Sequence, residues 1–303
     1  MSYLSAIIQG IIQGFTEFLP VSSSGHLSLY QYFTGTSSEG SLLFSVMLHF
    51  GTLAAVIIAF WPTVWQLFIE FLSIFADLFT GKLFRGYPKP YRRMLYFLML
   101  SCVPLLVVPF IQDLIEGFST DNSIIAEGCF FLVTALLLTL ADKAVKGVKT
   151  ARSMTAGDAA AIGVAQVFAT LPGISRSGST ISTGLLMGLD RSFAVSYSFI
   201  LGLPAILAAG LLDLRDVLEA GELGIPLGPA LVGMAVALVS GLLSIRLVKY
   251  IVRSDKFGIF AWYTLILGIV VLGVGIAEHF TGHAIQNYLA NTLFAAFVTV
   301  ASQ

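Results

Sequence analysis

Six stretches of this chain, at approximately 43–61, 94–111, 123–141, 192–212, 225–246 and 257–277, are long and apolar enough to cross a bilayer core of roughly 30 Å. Glu127, near one end of its stretch, breaks their lack of formal charge. Lipid offers the backbone no hydrogen-bond partners, so runs of this length must be helical. Composition agrees. Of 303 residues, 57% are hydrophobic and only 11% charged, too little polar surface for a soluble domain of that size. A net charge of −1 argues against a nucleic-acid partner. The N-terminus has no basic segment followed by a small-residue cleavage site, so no removable signal peptide is expected. Cys102 and Cys129 fall inside apolar spans, away from any metal-ligand spacing, and read as small buried hydrophobes.

Basic residues gather in three connections: Lys82, Arg85, Lys89, Arg92 and Arg93; Lys143, Lys146, Lys149 and Arg152; and Arg246, Lys249, Arg253 and Lys256. The remaining connections are acidic, with Asp113, Glu116 and Asp121 in one and Asp213, Asp216, Glu219 and Glu222 in another. The positive-inside rule puts the basic connections in the cytoplasm and residues 34–42 outside. Glu70 and Asp77 share one helical face of residues 62–81, opposite Trp65, Phe68, Leu72 and Phe75, a pattern expected of a helix lying in the cytoplasmic interface. The apolar tail 284–303 carries Gln286, Asn287 and Asn291 and reads as an interfacial helix or an extra span.

Residues 1–33 and 154–190 are apolar, yet Pro, Gly and serine clusters interrupt each at its middle. Broken helices at membrane depth are tolerated where protein or a water-filled cavity satisfies the backbone, so both read as re-entrant hairpins. They resemble each other. A shift of 153 places Gly10 on Gly163, Gln13 on Gln166, Phe15 on Phe168, Ser22 on Ser175, Ser24 on Ser177 and Gly25 on Gly178, with the Leu-Pro pair slipped by one. Each is followed by a similar span, "FSVMLHF" from Phe44 and "FAVSYSF" from Phe193. The charge rule brings the first hairpin in from outside and the second from inside. The expected fold is therefore an all-α integral membrane protein of six transmembrane helices and two re-entrant helical hairpins, in an inverted-topology repeat. One membrane domain spans 1–283, with repeats at about 1–62 and 154–214. Close helix packing through the small residues would explain the serines and glycines but not the charges.

Glu17 is the only formal charge from Met1 to Ser38, and Arg176 the only one between Asp158 and Asp190. Ionised groups at membrane depth are costly, which predicts one polar cavity shared by Glu17, His26 and Arg176. Gly173 and Gly178 permit close backbone approach, and Ser175, Ser177, Ser179 and Thr180 supply hydroxyls at a helix start, where free N–H groups favour an anion. The forked guanidinium suits phosphate oxygens. His26 can shuttle protons, and Ser23 lies three residues before it as a nucleophile within reach. Glu17 could act as base or hold a divalent cation, with Gln13 one turn earlier as a neutral oxygen ligand. His49 reads as a packed or helix-bonding histidine, and His279 and His283 as solvated at the external interface.

At these residues the sequence resembles the undecaprenyl-diphosphate phosphatase family, integral-membrane enzymes associated with bacitracin resistance. "QGFTEFLPVSSSGH" resembles its Glu/Gln-x-x-x-Glu segment followed by Pro-x-Ser-Ser-x-Gly-His, and "PGISRSGST" its Pro-Gly-x-Ser-Arg-Ser-x-x-Thr segment. Order, spacing and topology fit over roughly residues 1–280. The resemblance implies hydrolysis of a C55 isoprenoid diphosphate to its monophosphate with a divalent cation, Mg²⁺ or Ca²⁺, in the bacterial plasma membrane, recycling the lipid carrier of cell-wall synthesis. It also implies a homodimer. Catalytic positions would be Glu17, Ser23, His26 and Arg176. Phosphate-binding positions would be Ser22, Ser24, Gly173, Ser175, Arg176, Ser177 and Thr180, with Glu17 and Gln13 at the metal. Gln13 stands where a second carboxylate is often found, which removes one charge from that metal site. Ser23, His26 and a metal-bound water are all open as the attacking group, with Ser23 favoured.

Acid-phosphatase-like lipid phosphatases share a Ser-Gly-His element, but their Lys-x6-Arg-Pro and Arg-x5-His-x3-Asp segments are missing here. The rival outside enzymology is a lipid-phosphate flippase or other transporter, which would use the same inverted hairpins and arginine.

Overall fold

The computed structural model describes residues 2–35, 42–80, 89–120, 123–220, 226–289 and 292. Lys82, Arg85, Asp121, Glu222, Asn291, the side chain of Glu116, and most of the segments 34–42 and 290–303 lie outside the described residues. The chain forms α1 (Tyr3–Phe18), α2 (Ser23–Thr34), α3 (Leu42–Ala59), α4 (Trp61–Thr80) and α5 (Pro90–Cys102). A 3-10 stretch, Val103–Phe110, extends α5, and is followed by α6 (Gln112–Thr120), α7 (Ile125–Asp142) and α8 (Ala156–Phe168). The series ends with α9 (Arg176–Leu186), α10 (Arg191–Ala220), α11 (Leu227–Arg253) and α12 (Gly258–Thr281). There is no strand among the described residues, only an isolated bridge between Lys149 and Leu189.

Seven of these segments are long and apolar enough to cross a membrane: α3, α4, α5 with its 3-10 extension, α7, α10, α11 and α12. That is one more than the six predicted, and the addition is α4. Its amphipathic pattern is real but its polar stripe does not face water. Arg92, in the first turn of α5, donates Nε to Glu70 at 2.8 Å and also bonds Asp77 and Ser73. The carboxylates are thus neutralised inside a helix pair, and Trp65, Phe68, Leu72 and Phe75 are exposed on the outside. Cys129 is another correction. It is exposed and Cys102 half-buried, because an apolar position in a span can face lipid as readily as protein.

α1, α2, α8 and α9 have 16, 12, 13 and 11 residues, or at most about 24 Å, each too short to cross. They form two hairpins. α1 lies against α11, where a Cβ on Gly10 would come within 2.7 Å of the Gly233 carbonyl. Ser240 and Ser244 donate to the Gly10 and Phe15 carbonyls at 3.1 and 2.7 Å. Close small-residue packing therefore accounts for this part of the first hairpin. α8 meets α5 in the same manner, Gly163 against the Ser101 carbonyl. Its start is fixed by a capping box, with Asp158 accepting from Thr155 N at 2.8 Å and Thr155 from Asp158 N at 3.2 Å. Lys149 reaches both Asp158 oxygens at 3.0 Å, and its backbone pairs with Gly188 and Asp190, which clasps the two ends of the hairpin together.

The described parts of the basic connections converge at this end of the molecule. Arg93 donates to the Met154 carbonyl at 2.8 Å, and Lys146 and Arg191 both engage Asp255. The bond from Lys146 holds the Asp255 carboxyl below its ordinary range. At the far end of α12, Glu278 is buried and accepts from Ile285 N and Gln286 N at 2.8 and 3.2 Å and from the Tyr32 hydroxyl at 3.2 Å. His283, expected to be solvated, instead pairs with Tyr32 at 3.0 Å.

Candidate active site

The local repeat in the sequence becomes repeated geometry. Ser22 is the N-cap of α2 and accepts from Gly25 N at 3.3 Å; Ser175 is the N-cap of α9 and accepts from Gly178 N at 3.0 Å. Each cap hydroxyl lies 3.3 Å from the hydroxyl two residues on, Ser22 with Ser24 and Ser175 with Ser177. Ser23 and Arg176 are therefore equivalent, each the first residue of its helix. The one-residue slip of the Leu-Pro pair also has a reason. The second turn spends an extra residue, Gly173, on its left-handed position (φ 100°), whereas in the first turn the cap Ser22 takes positive φ (71°) itself.

The two hairpin tips touch. Ser177 Oγ donates to the Leu19 carbonyl at 3.2 Å, and a Cβ on Gly25 would lie 3.0 Å from the Gly173 Cα. At this junction Arg176 Nη2 meets Glu17 Oε1 at 2.8 Å, with the side chains 16% and 7% exposed. Glu17 Oε2 accepts from Ser23 Oγ at 2.7 Å and from Gln13 Nε2 at 3.1 Å. Gln13 is fully buried, and its Oε1 has no partner among the described residues. Of the three residues expected to share one cavity, Glu17 and Arg176 thus meet across 159 residues of sequence, with Gln13 and Ser23 on the same carboxylate.

His26 is placed differently. Its Nδ1 lies 2.7 Å from the Ser22 carbonyl and its Nε2 2.7 Å from the Tyr263 hydroxyl. A carbonyl oxygen can only accept, so Nδ1 carries the proton, and in the neutral ring Nε2 accepts from Tyr263. Ser23, expected within reach of the imidazole, is hydrogen-bonded to Glu17 instead. The hydroxyls expected to face a phosphate are also partly engaged. Thr180 bonds Ser198 at 2.6 Å and the Arg176 carbonyl at 2.8 Å, Ser175 caps α9, and Ser177 secures the other tip. Ser24 is exposed at the start of α2.

Three participants were missed in the sequence. Tyr263 comes from α12, 237 residues from His26, and carries no local signal. Ser198 accepts from Arg176 Nη1 through its carbonyl at 3.4 Å, and a Cβ on Gly202 would collide with the same guanidinium. A signal for Ser198 existed: aligning "FSVMLHF" with "FAVSYSF" sets it on His49. His49 bonds its own helix, Nδ1 to the Ser45 carbonyl at 2.8 Å, and lies within electrostatic reach of Glu17.

Among the described residues no group of three or more His, Cys, Asp or Glu could hold a metal ion. The candidate oxygens are the unpartnered Oε1 of Gln13 and those of Glu17, which already serve Arg176, Ser23 and Gln13. Mg²⁺ is commonly held by one or two carboxylates with the rest of its shell from phosphate and water, and Glu17 would supply one such carboxylate with the Gln13 amide oxygen beside it.

Apolar spans around a half-buried arginine paired with a buried carboxylate define a multi-pass integral membrane protein. Residues 6–270 match the family model described as bacitracin resistance protein BacA. The chain is 38% identical over 283 residues to the undecaprenyl-diphosphatase of Carboxydothermus hydrogenoformans, covering 92% of this chain and 100% of that one. It is 36% identical over 273 residues to that of Alkaliphilus metalliredigens (90% and 98%), and 37% to that of Thermosipho africanus (90% and 100%). The chain belongs to the bacitracin resistance protein BacA family.

Proposed function

We propose that this protein hydrolyses undecaprenyl diphosphate to the monophosphate and phosphate, and so confers bacitracin resistance from the bacterial plasma membrane. The observation that carries this reading is the Glu17–Arg176 junction, which puts an anion-binding guanidinium, a carboxylate and a Ser23 hydroxyl together between two broken helices. Arg176 holds the terminal phosphate, and Ser22, Ser24, Gly173, Ser175, Ser177 and Thr180 shape the helix starts around it. Ser23 Oγ attacks the terminal phosphorus as its proton passes to Glu17 Oε2. The bridging P–O bond breaks and the lipid monophosphate leaves; water then cleaves the phosphoserine. Glu17 and Gln13 would hold the divalent cation, which neutralises charge on the diphosphate when bound.

The finer architecture belongs to the same proposal: one domain over 1–283, with inverted hairpin-and-span repeats at 1–62 and 154–214. The matched caps and the Gly10–α11 and Gly163–α5 contacts support the repeat. An apolar cavity of about 550 Å³ bounded by α4, α5 and α10, lined by Leu67, Leu98 and Leu203 among others, suits a hydrocarbon-bearing substrate.

The test is phosphate release from a long-chain isoprenyl diphosphate by detergent-purified protein, where transport is impossible, with and without Mg²⁺ or Ca²⁺. Absence of release under either cation would sink the enzyme reading and leave the flippase. Two variants refine it. Ser23→Ala is expected to lower kcat by about a thousandfold or more, and a variant keeping most of the activity would rule out the serine nucleophile. Gly202→Ala removes no functional group, yet its methyl displaces the Arg176 guanidinium, and kcat/KM is expected to fall by roughly ten- to a hundredfold.

A further inference from the structure

Neither nitrogen of His26 bonds the Ser23–Glu17–Arg176 cluster. Nδ1 is committed to the Ser22 carbonyl of its own helix, which fixes the tautomer. Nε2, the position that can gain or lose a proton, meets the Tyr263 hydroxyl at 2.7 Å. The tyrosine ring stacks on the imidazole, interplanar angle 8° and centroids 5.8 Å apart, while Phe131 closes the other side edge-on at 5.4 Å. Tyr263 is 45% exposed and His26 is half-buried.

We infer that Tyr263 is the positioning residue of His26: its hydroxyl orients the imidazole and exchanges protons with Nε2. A phenol can do both. It donates O–H to the neutral ring, and it accepts from the imidazolium while turning its own O–H outward. In one turnover of the relay the hydroxyl gives its proton outward as it takes the Nε2 proton, so the tyrosine is unchanged and the histidine is neutral. The other charged groups around the ring are already paired. Glu127 of α7 accepts from Ser28 at 2.6 Å, and Glu17 of α1 and Arg176 of α9 hold each other. Tyr263 of α12 is the titratable group in hydrogen-bond contact with the imidazole.

The inference rests, for its kinetic part, on the phosphatase reading with His26 as the acid/base that the family resemblance gives it, and stands apart from that reading for its spectroscopic part. Tyr263→Phe keeps the ring and the stack and removes only the hydroxyl. It is expected to move the imidazole ¹⁵N signal of His26 Nε2, assigned by its loss in His26→Gln. An unmoved signal overturns the inference whether or not the protein hydrolyses anything. In turnover, Tyr263→Phe is expected to lower kcat ten- to a hundredfold with KM changed less than about threefold, and to alter the limb of the pH profile that His26→Gln abolishes. The same substitution in a His26→Gln background should cost nothing further. Additive losses, or a wild-type pH profile in Tyr263→Phe, would overturn it. Tyr263→His, which keeps a ring and a donor, is expected to recover part of the rate; no recovery would count against the relay.

Discussion

Arg176→Ala is expected to lower phosphate release by about a thousandfold or more, on the scale of arginines that stabilise phosphoryl-transfer transition states. Two Arg176 nitrogens have protein partners, Nη2 on Glu17 and Nη1 on the Ser198 carbonyl. That clamp sets the guanidinium at the start of α9, where the helix dipole also favours an anion. Arg176→Lys keeps the charge and loses the fork, so most of the activity should go with it, leaving roughly a tenth to a hundredth. The comparison is made by single-turnover phosphate release at saturating lipid. Near-normal turnover in Arg176→Ala would mean that the phosphate sits elsewhere. The fold is expected to persist, because Ser177 still holds the Leu19 carbonyl and Ser175 still caps α9.

Much of this arrangement was legible because it is written in local chemistry. Long apolar runs announced six of the seven candidate spans, and a lone Glu17 and a lone Arg176 in apolar surroundings had to find each other. The Ser22/Ser175 alignment carried through to the same cap and the same serine pair. What failed to show was any choice settled by which way a helix turns. The stripe of Glu70, Ser73 and Asp77 has the same period whether it meets water or Arg92, so α4 could not be judged from its own residues. The spacing of Ser23 and His26 puts them near each other on α2, but spacing does not say that Glu17 will take the hydroxyl or that Tyr263 will take the imidazole. Gly202 is invisible for a related reason: a glycine reports only that something comes close, and what comes close is 26 residues away in sequence.

Glu17→Gln carries the second large effect, a loss of about a thousandfold or more in kcat, because the amide keeps the shape of the carboxylate but can neither take the Ser23 proton nor neutralise Arg176. Its consequence for stability separates catalysis from structure. Removing the charge strands a guanidinium that is mostly buried, and breaking such a pair from one side costs about 3–5 kcal/mol. Arg176→Met alone strands the carboxylate in the same way. The double variant Glu17→Gln/Arg176→Met strands neither, so it should be more stable than either single variant, with an interaction energy of up to about 3 kcal/mol in a double-mutant cycle read by thermal unfolding in detergent. Its activity should nevertheless be no better than that of the worse single variant. If the two substitutions proved additive in stability, the Glu17–Arg176 contact would not be the bond that joins the hairpin tips. If the double variant regained turnover, neither charge would be needed by the reaction, and the pair would be a fastener that happens to lie beside the site.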